Sequence, residues 1–264
     1  MEVGISTASL FMRATNEQAI GIANDLDARV IEIFLESFSE YKSEFIASLK
    51  DKLGSVKVHS LHTLTTQFEP QLFSENKIAR RDSLDFMESI CKGGREIGAK
   101  NYTLHGKAHF KRDVIFNDYP FYVKCFNELC ELCESYGVSV CLENVYWAFF
   151  NSPEWFSGLK NECEKLRTCL DIKQARLSGY SVFDYISVME GRINTVHLSD
   201  IDENGKMVLP GRGITDFKSI FKALSKAKFE GNMLLEVYRN DYESIDALAD
   251  SLEYLRKIKN EVFN

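Results

Sequence analysis

Short apolar runs alternate with stretches of helical periodicity along almost the whole chain. The apolar runs fall at residues 3–7, 30–35, 56–61, 102–105, 138–143, 168–171, 193–198 and 233–237. Between them, helices are predicted over 16–28, 40–53, 77–98, 119–136, from 152–153 onward, and over 182–189, 216–226 and 244–258. Gly137 follows the fourth helical stretch as a suitable C′ residue. Ser152 before Pro153 reads as an N-cap with proline in the first turn. In the last stretch Ile245, Leu248, Leu252, Leu255 and Ile258 keep one apolar face. Continuous apolar strands between helices argue a parallel sheet covered by helices. Eight such units in 264 residues fit a closed (β/α)8 TIM barrel of the α/β class. A doubly wound open sheet is the alternative, but no glycine-rich phosphate loop follows the first run. No Gly-, Pro- or Ser-rich linker divides the chain, so residues 1–264 read as a single barrel domain.

What ends each run changes the picture. The third run contains His59 late in its course, and the fourth ends in His105. The fifth ends in Glu143, the sixth in Asp171, the seventh reaches His197 and the eighth Glu236. A barrel carries its active-site residues at the C-terminal ends of its strands. Strand alternation turns Glu143 inward with Cys141 and Ser139, Asp171 with Cys169, His197 with Thr195, Glu236 with Leu234, and His105 with Thr103. Their neighbours Leu142, Leu170, Val196, Leu235 and Leu104 are bulky and apolar, as helix-facing positions should be.

A carboxylate at the end of a buried strand is costly unless something pairs with it. Three carboxylates at one mouth repel each other, and a divalent cation turns that repulsion into shared coordination. Glu143, Asp171, Glu236 and His197 together suit one manganese, cobalt, magnesium or zinc ion with open positions left for water or substrate. A single strand-end Glu or His read alone would equally be a satisfied polar residue. Four in matching phase favour the metal. His59 and His105 are candidates for contact with metal or substrate, whereas His62 and His109 fall in predicted loops. Glu32 also faces inward and is expected to pair with Lys57 or a similar group.

Further features bear on the pocket. Tyr146, Trp147, Phe149 and Phe150 follow Glu143. Such rings could stack on the C–H face of a sugar, with Trp147 the candidate substrate contact. They would serve equally to pack a loop or the contact of a homodimer. The turn Pro210-Gly211-Arg212-Gly213 could hold an anionic group through Arg212 and the glycine amides, or be a plain solvated turn. Lys173 and Gln174 follow Asp171 closely enough to reach substrate oxygens.

Composition bounds the alternatives. Hydrophobic residues make up 45% and charged residues 27%, enough for a large core. The net charge of −7 argues against a nucleic-acid partner. No apolar run approaches the roughly 18 residues of a membrane span, and the N-terminus lacks the pattern of a signal peptide. Seven scattered cysteines fit a reducing cytoplasm. The Cys130–Cys133 pair lies in a helical stretch without a second pair or a nearby His, so it reads as core.

With these residues in view, the chain resembles the xylose-isomerase-like TIM barrels, a superfamily of sugar isomerases, ketose 3-epimerases, inosose-processing enzymes and apurinic-site endonucleases. The resemblance covers nearly the whole chain. It rests on VCLEN at Glu143, CLDIKQ at Asp171, VHLSD at His197, LPGRG at 209–213 and LLEVY at Glu236. It implies that Glu143, Asp171, His197 and Glu236 bind one metal and that Glu143 and Glu236 also move protons. The endonucleases of the superfamily need a further His three residues after the sixth-strand Asp, where this chain has Gln174. They also need an Asp-x-His in the seventh loop, which here contains no His. Ketose 3-epimerases usually share the first of these and carry an Arg where this chain has Glu203. The expectation is a metal-dependent isomerase or epimerase of a small polyol or keto-sugar, working through an enediolate. A cyclitol or keto-acid dehydratase, an apurinic-site endonuclease and a non-catalytic carbohydrate-binding barrel are the alternatives.

Overall fold

In the computed structural model of the protein, eight parallel strands close into a barrel. The structure describes residues 1–64, 67–108 and 119–263. His109 lies outside them. The barrel strands are β1 (Val3–Ser6), β2 (Val30–Leu35), β3 (Lys57–Thr63), β4 (Asn101–Leu104), β5 (Ser139–Glu143), β6 (Arg167–Asp171), β7 (Ile193–Leu198) and β10 (Asn232–Leu235). Each pairs in parallel with its neighbours in chain order, and β10 closes the ring onto β1. A small antiparallel hairpin, β8 (Asp200–Ile201) with β9 (Met207–Val208), projects between β7 and the helix that follows.

The outer ring is formed by α1 (Asn16–Asp25), α2 (Ser43–Ser48), α3 (Lys77–Glu96), α4 (Tyr119–Ser135), α5 (Pro153–Glu162), α6 (Ile172–Leu177), α7 (Val182–Val188), α8 (Phe217–Lys226) and α9 (Ile245–Phe263). Local chemistry sets their ends. Thr15 and Gln18 form a reciprocal capping box at α1, and Asn76 and Asp216 cap α3 and α8. Gly137 takes φ +76° after α4, and its N–H donates to Glu134 O at 2.9 Å. Ser152 sits at the N-cap of α5, but its side chain makes no capping bond. The helix predicted over 40–53 is a short α2 finished by a 3-10 turn at Leu49–Lys52.

Helix-facing strand residues Ile31, Ile33, Leu61, Leu104, Leu142, Leu170, Val196 and Leu235 are fully buried against these helices. At roughly 1.5–3 kcal/mol for each large side chain removed from water, this layer is the main stabiliser of the barrel. Leu248, Leu252 and Leu255 of α9 are buried as the periodicity predicts, with Ile245 and Ile258 at its margins. Cys130 and Cys133 are free thiols buried in α4. Burial pushes the Cys130 thiol up to about 12, so it is a packing group and not a thiolate. Among the described residues, no helix is long and apolar enough to cross a membrane.

The third strand departs from the simple alternation. Ile31 pairs with Val58, but Glu32 pairs with Ser60, so His59 is the extra residue of a β-bulge. β3 also runs two residues beyond the apolar run and includes His62. The bulge shifts the phase, and the consequence is felt at the site.

Candidate metal centre

Four side chains converge at the C-terminal mouth of the barrel. Glu143 and Asp171 are the last residues of β5 and β6, His197 is the penultimate residue of β7, and Glu236 follows β10. Each offers one donor atom, and the four donors lie within 4.8 Å of one another. His197 is at the centre. Its Nδ1 is 3.4 Å from Glu143 Oε1 and 4.0 Å from Asp171 Oδ2, and it contacts Glu236 Oε2.

Asp171 is aimed by its neighbours. It ends β6 and at once caps α6, where Oδ1 accepts the Gln174 N–H at 2.8 Å. Asn144 grips its backbone from both sides, with Oδ1 accepting from Asp171 N (2.8 Å) and Nδ2 donating to Asp171 O (2.9 Å). The second carboxylate oxygen is thereby left to face the cluster. The cap also explains α6, a helix that apolar periodicity alone did not suggest.

Glu32 holds His197 from behind. It is fully buried and accepts hydrogen bonds from Ser6 Oγ (2.9 Å), Ser60 Oγ (2.8 Å) and Thr103 Oγ1 (2.6 Å). Its Oε1 lies 3.1 Å from His197 Nε2. The expected pairing with Lys57 is not made, because Lys57 opens β3 on the exposed surface while Glu32 points into the barrel axis. The carboxylate directs Nδ1 of His197 toward the cluster, the arrangement that orients a metal-binding imidazole.

The electrostatics favour a cation. Burial pushes the Glu143 carboxyl up to about 8, with Asp171 and Glu236 adding repulsion against the pull of His197. Asp171 is raised by burial as well. Burial works against Glu236 too, but His197 outweighs it and holds that carboxyl low. Glu143 Oε2 and Glu236 Oε2 are buried and accept no hydrogen bond among the described residues. Three carboxylates and one imidazole converging in a buried mouth fit a divalent ion of the manganese, cobalt, magnesium or zinc group.

A second trio adjoins the first. His62, His105 and Glu143 also bring donors within 4.8 Å of each other. His105 Nε2 is 3.4 Å from Glu143 Oε2, and the His62 and His105 rings are 4.3 Å apart. Glu69 stands behind His105. It accepts from Tyr102 Oη (2.7 Å), from Thr63 Oγ1 (3.2 Å) and from the His105 and Gly106 amides (3.0 and 3.3 Å). Its Oε2 is 3.6 Å from His105 Nδ1, and burial pushes it up to about 8.

The remaining sequence candidates separate. His59 is not at this mouth. As the third residue of β3 it lies toward the opposite, N-terminal end of the barrel. There Asn232 Nδ2 donates to His59 Nδ1 (2.9 Å), and Nε2 lies 2.9 Å from Thr195 Oγ1, beside a cavity of about 500 Å³. The β3 histidine that reaches the site is His62, and the loop assignment for it is corrected. Trp147 faces the site, with its ring 5.3 Å from His105. Phe149 and Phe150 are buried among Tyr122 and Trp155 and pack the loop. Gln174 Oε1 accepts the Tyr146 N–H (3.3 Å) and braces that loop. Lys173 is buried beside Asp171 and Glu236, with Nζ 4.1 Å over the Tyr238 ring. Arg212 is turned away, half exposed and 4.0 Å from Asp250 of α9. The glycine amides of its turn do not present an anion site, since Gly211 N (3.1 Å) and Gly213 N (3.0 Å) both donate to Asp200 Oδ2.

Sequence reasoning missed His62, Glu69, the clamp of Asn144 and the loop anchor Asp200. Asn144 and Asp200 lie inside the quoted VCLEN and VHLSD segments, so their signal was present without a role. Glu69 sits on a short 3-10 turn (Glu69–Phe73) that carries no periodicity.

Residues 20–258 match the xylose isomerase-like TIM barrel family, and the chain belongs to it. The chain is 26% identical over 201 residues to an inosose dehydratase of Histophilus somni, covering 66% of this chain and 65% of that protein. The match therefore spans a little under two thirds of the relative's length. Among solved structures, a D-psicose 3-epimerase of Clostridium cellulolyticum superposes with a TM-score of 0.81 at 17% identity, over 100% of both chains. The IolI protein, crystallised with a zinc atom, superposes with a TM-score of 0.78 at 16% identity, over 99% of this chain and 98% of the other. The similar proteins thus include sugar epimerases and a dehydratase.

Proposed function

We propose that the protein is a divalent-metal-dependent isomerase or epimerase of a sugar, sugar phosphate or related small polyol. The observation that carries this reading is the convergence of Glu143, Asp171, His197 and Glu236 within 4.8 Å at the barrel mouth. A divalent ion held by these four residues would supply Lewis-acid polarisation of a substrate carbonyl and its neighbouring hydroxyl. Glu143 and Glu236 sit on either side of His197 and serve as the groups that take and return a proton. One removes the proton from the carbon beside the carbonyl, leaving an enediolate. The other delivers a proton to the opposite face for epimerisation, or to the adjacent carbon for isomerisation. His105 and Trp147 line the approach, where an imidazole can donate to a hydroxyl and an indole face can cover sugar C–H groups.

The inosose dehydratase relative supports a second reading with the same first step. Removal of the proton next to the carbonyl followed by expulsion of a β-hydroxyl, protonated as it leaves, gives dehydration.

Metal content and proton exchange test both. Protein purified without chelator should carry about one divalent ion per chain by elemental analysis. Incubated in D2O with ketohexoses, their phosphates and keto-inositols, the loaded protein should place deuterium beside the carbonyl. Deuterated epimer or isomer supports the leading reading, and loss of water supports dehydration. No exchange with any of them, across manganese, cobalt, magnesium and zinc, would sink both.

A further inference from the structure

Beside the barrel mouth lies a second cavity of about 580 Å³ that the chemistry above leaves unused. It runs between α6–α7 and the β8–β9 hairpin. Leu177, Tyr180, Phe183, Met207, Ile214 and Tyr238 form its walls. Five of these are large apolar or aromatic side chains more than a third exposed: Leu177, Tyr180, Phe183, Ile214 and Tyr238. That much apolar surface gathered in one groove is unfavourable in water and marks a binding surface. The volume is that of a small-molecule site.

The groove is built. The loop that presents Ile214 is fixed by one buried carboxylate. Asp200 accepts from Ile201 N (2.8 Å), Gly211 N (3.1 Å), Gly213 N (3.0 Å) and Thr215 N (3.0 Å). A Cβ at Gly213 would collide with Asp200 and with Ile201 O, so glycine is required for that approach. The LPGRG turn therefore shapes a wall and holds no anion. At its inner end the groove comes up to Lys173, which is buried beside Asp171 and Glu236 of the cluster. Lys173, Ser199 and Tyr238 line that end, each two residues beyond a member of the cluster. Ser199 Oγ is buried and has no hydrogen-bond partner among the described residues. Lys173 Nζ lies over the Tyr238 ring at 4.1 Å.

We infer that this groove is a subsite for an uncharged apolar substituent, aromatic or alkyl, carried on the polyol that reacts at the metal centre. Ser199 and Lys173 meet the polar junction of the ligand, and Phe183, Tyr180 and Ile214 enclose its apolar end. The substrate favoured by the site is then a keto-polyol bearing such a substituent, over the unsubstituted ketose. The inference rests on the proposed reaction only for what happens at the other end of the ligand.

Binding of two unreactive probes separates the two ideas. Phenyl and methyl β-D-glucopyranoside are titrated calorimetrically into metal-loaded protein. The phenyl glycoside should bind at least about tenfold more tightly, given the apolar area a ring buries. Phe183→Ala and Ile214→Ser, each checked for an unchanged melting profile and metal content, should reduce that preference to near unity. Equal binding of the two probes by the parent protein overturns the subsite. So does a phenyl preference that survives both substitutions. If the preference is absent and Ile214→Asp converts a dimer to a monomer in light scattering, the groove is a contact between copies and the subsite is rejected. A phenyl preference without any deuterium exchange would keep the groove and reject the reaction.

Discussion

Glu32 Oε1 and His197 Nε2 face each other at 3.1 Å in the fully buried axis of the barrel. Neither group could be there alone. A lone buried carboxylate would be strongly disfavoured, and burial alone would lower the imidazole. His197 and the hydroxyls of Ser6, Ser60 and Thr103 together hold the Glu32 carboxylate ionised against its burial. This contact fixes which ring nitrogen is free for the mouth. Glu32→Gln keeps the volume but loses an acceptor. The variant should fold and bind divalent metal about 10- to 100-fold more weakly in competition with a chelator. Equal metal affinity in parent and variant would show that Glu32 does not act through His197. Glu32→Ala takes the acceptor from the three hydroxyls and the facing carboxylate from His197 Nε2 and should lose about 3–5 kcal/mol of stability by denaturant unfolding.

The eight-unit barrel and the four-residue cluster were legible because they repeat. Each strand end in turn carried a ligand-type residue with bulky apolar neighbours, and the same phase served β5, β6, β7 and β10. Features that break a repeat were not legible. The bulge at His59 shows in the sequence only as two successive polar residues, His59 and Ser60, set between Val58 and Leu61, a pattern that a strand ending there would share. It exchanged His59 for His62 at the site. Arg212 misled because glycine-flanked arginines suit anions, whereas here Asp200 supplies the negative charge from within the chain. The partner of Glu32 could not be read either, because His197 is 165 positions away in sequence.

The misplaced His59 gives a pH prediction. Burial holds its imidazole down at about 4, against an ordinary 6.5. The native protein keeps it neutral while the unfolded chain takes up a proton, so the unfolded state binds more protons across this interval. Stability from this group is complete above about pH 6.5 and is lost as the pH falls toward 4. The ceiling is about 3 kcal/mol. His105 is also lowered, by burial and by His62 and His197, and adds to the same slope. The comparison therefore has to be between parent and His59→Gln. Urea unfolding at pH 7 and pH 5 should show a smaller loss on acidification in the variant. Identical losses would mean that His59 is not the proton acceptor.

Asp200 predicts a local effect. Four backbone N–H groups converge on its two oxygens, and an amide has only one oxygen to offer. Asp200→Asn turns a donor toward donors and should cost about 2–4 kcal/mol. Limited proteolysis should then cut within residues 202–214 far faster than in the parent, while metal content stays near one per chain. Parent-like resistance of that segment would remove Asp200 as its anchor.

The final prediction separates the two roles given to Glu143 and Glu236. Both belong to the cluster that would hold the ion, so loss of activity alone says nothing about proton transfer. Glu143→Gln and Glu236→Gln keep an oxygen donor and remove the basic carboxylate. With metal saturating, confirmed by elemental analysis, each should slow turnover of the identified substrate by about 10²–10⁴. Their isotope patterns should differ. If one group removes the proton and the other returns it, a substrate deuterated at the reacting carbon should lose its label to solvent in the variant lacking only the returning acid. In the variant lacking the base, recovered substrate should keep its label. The double variant should be little slower than the worse single one, because both act in one proton-transfer sequence. Equal label retention in both singles, with rates that multiply in the double, would assign the two carboxylates to metal binding and place the proton-moving group elsewhere, with His105 beside Glu143 the next residue to substitute.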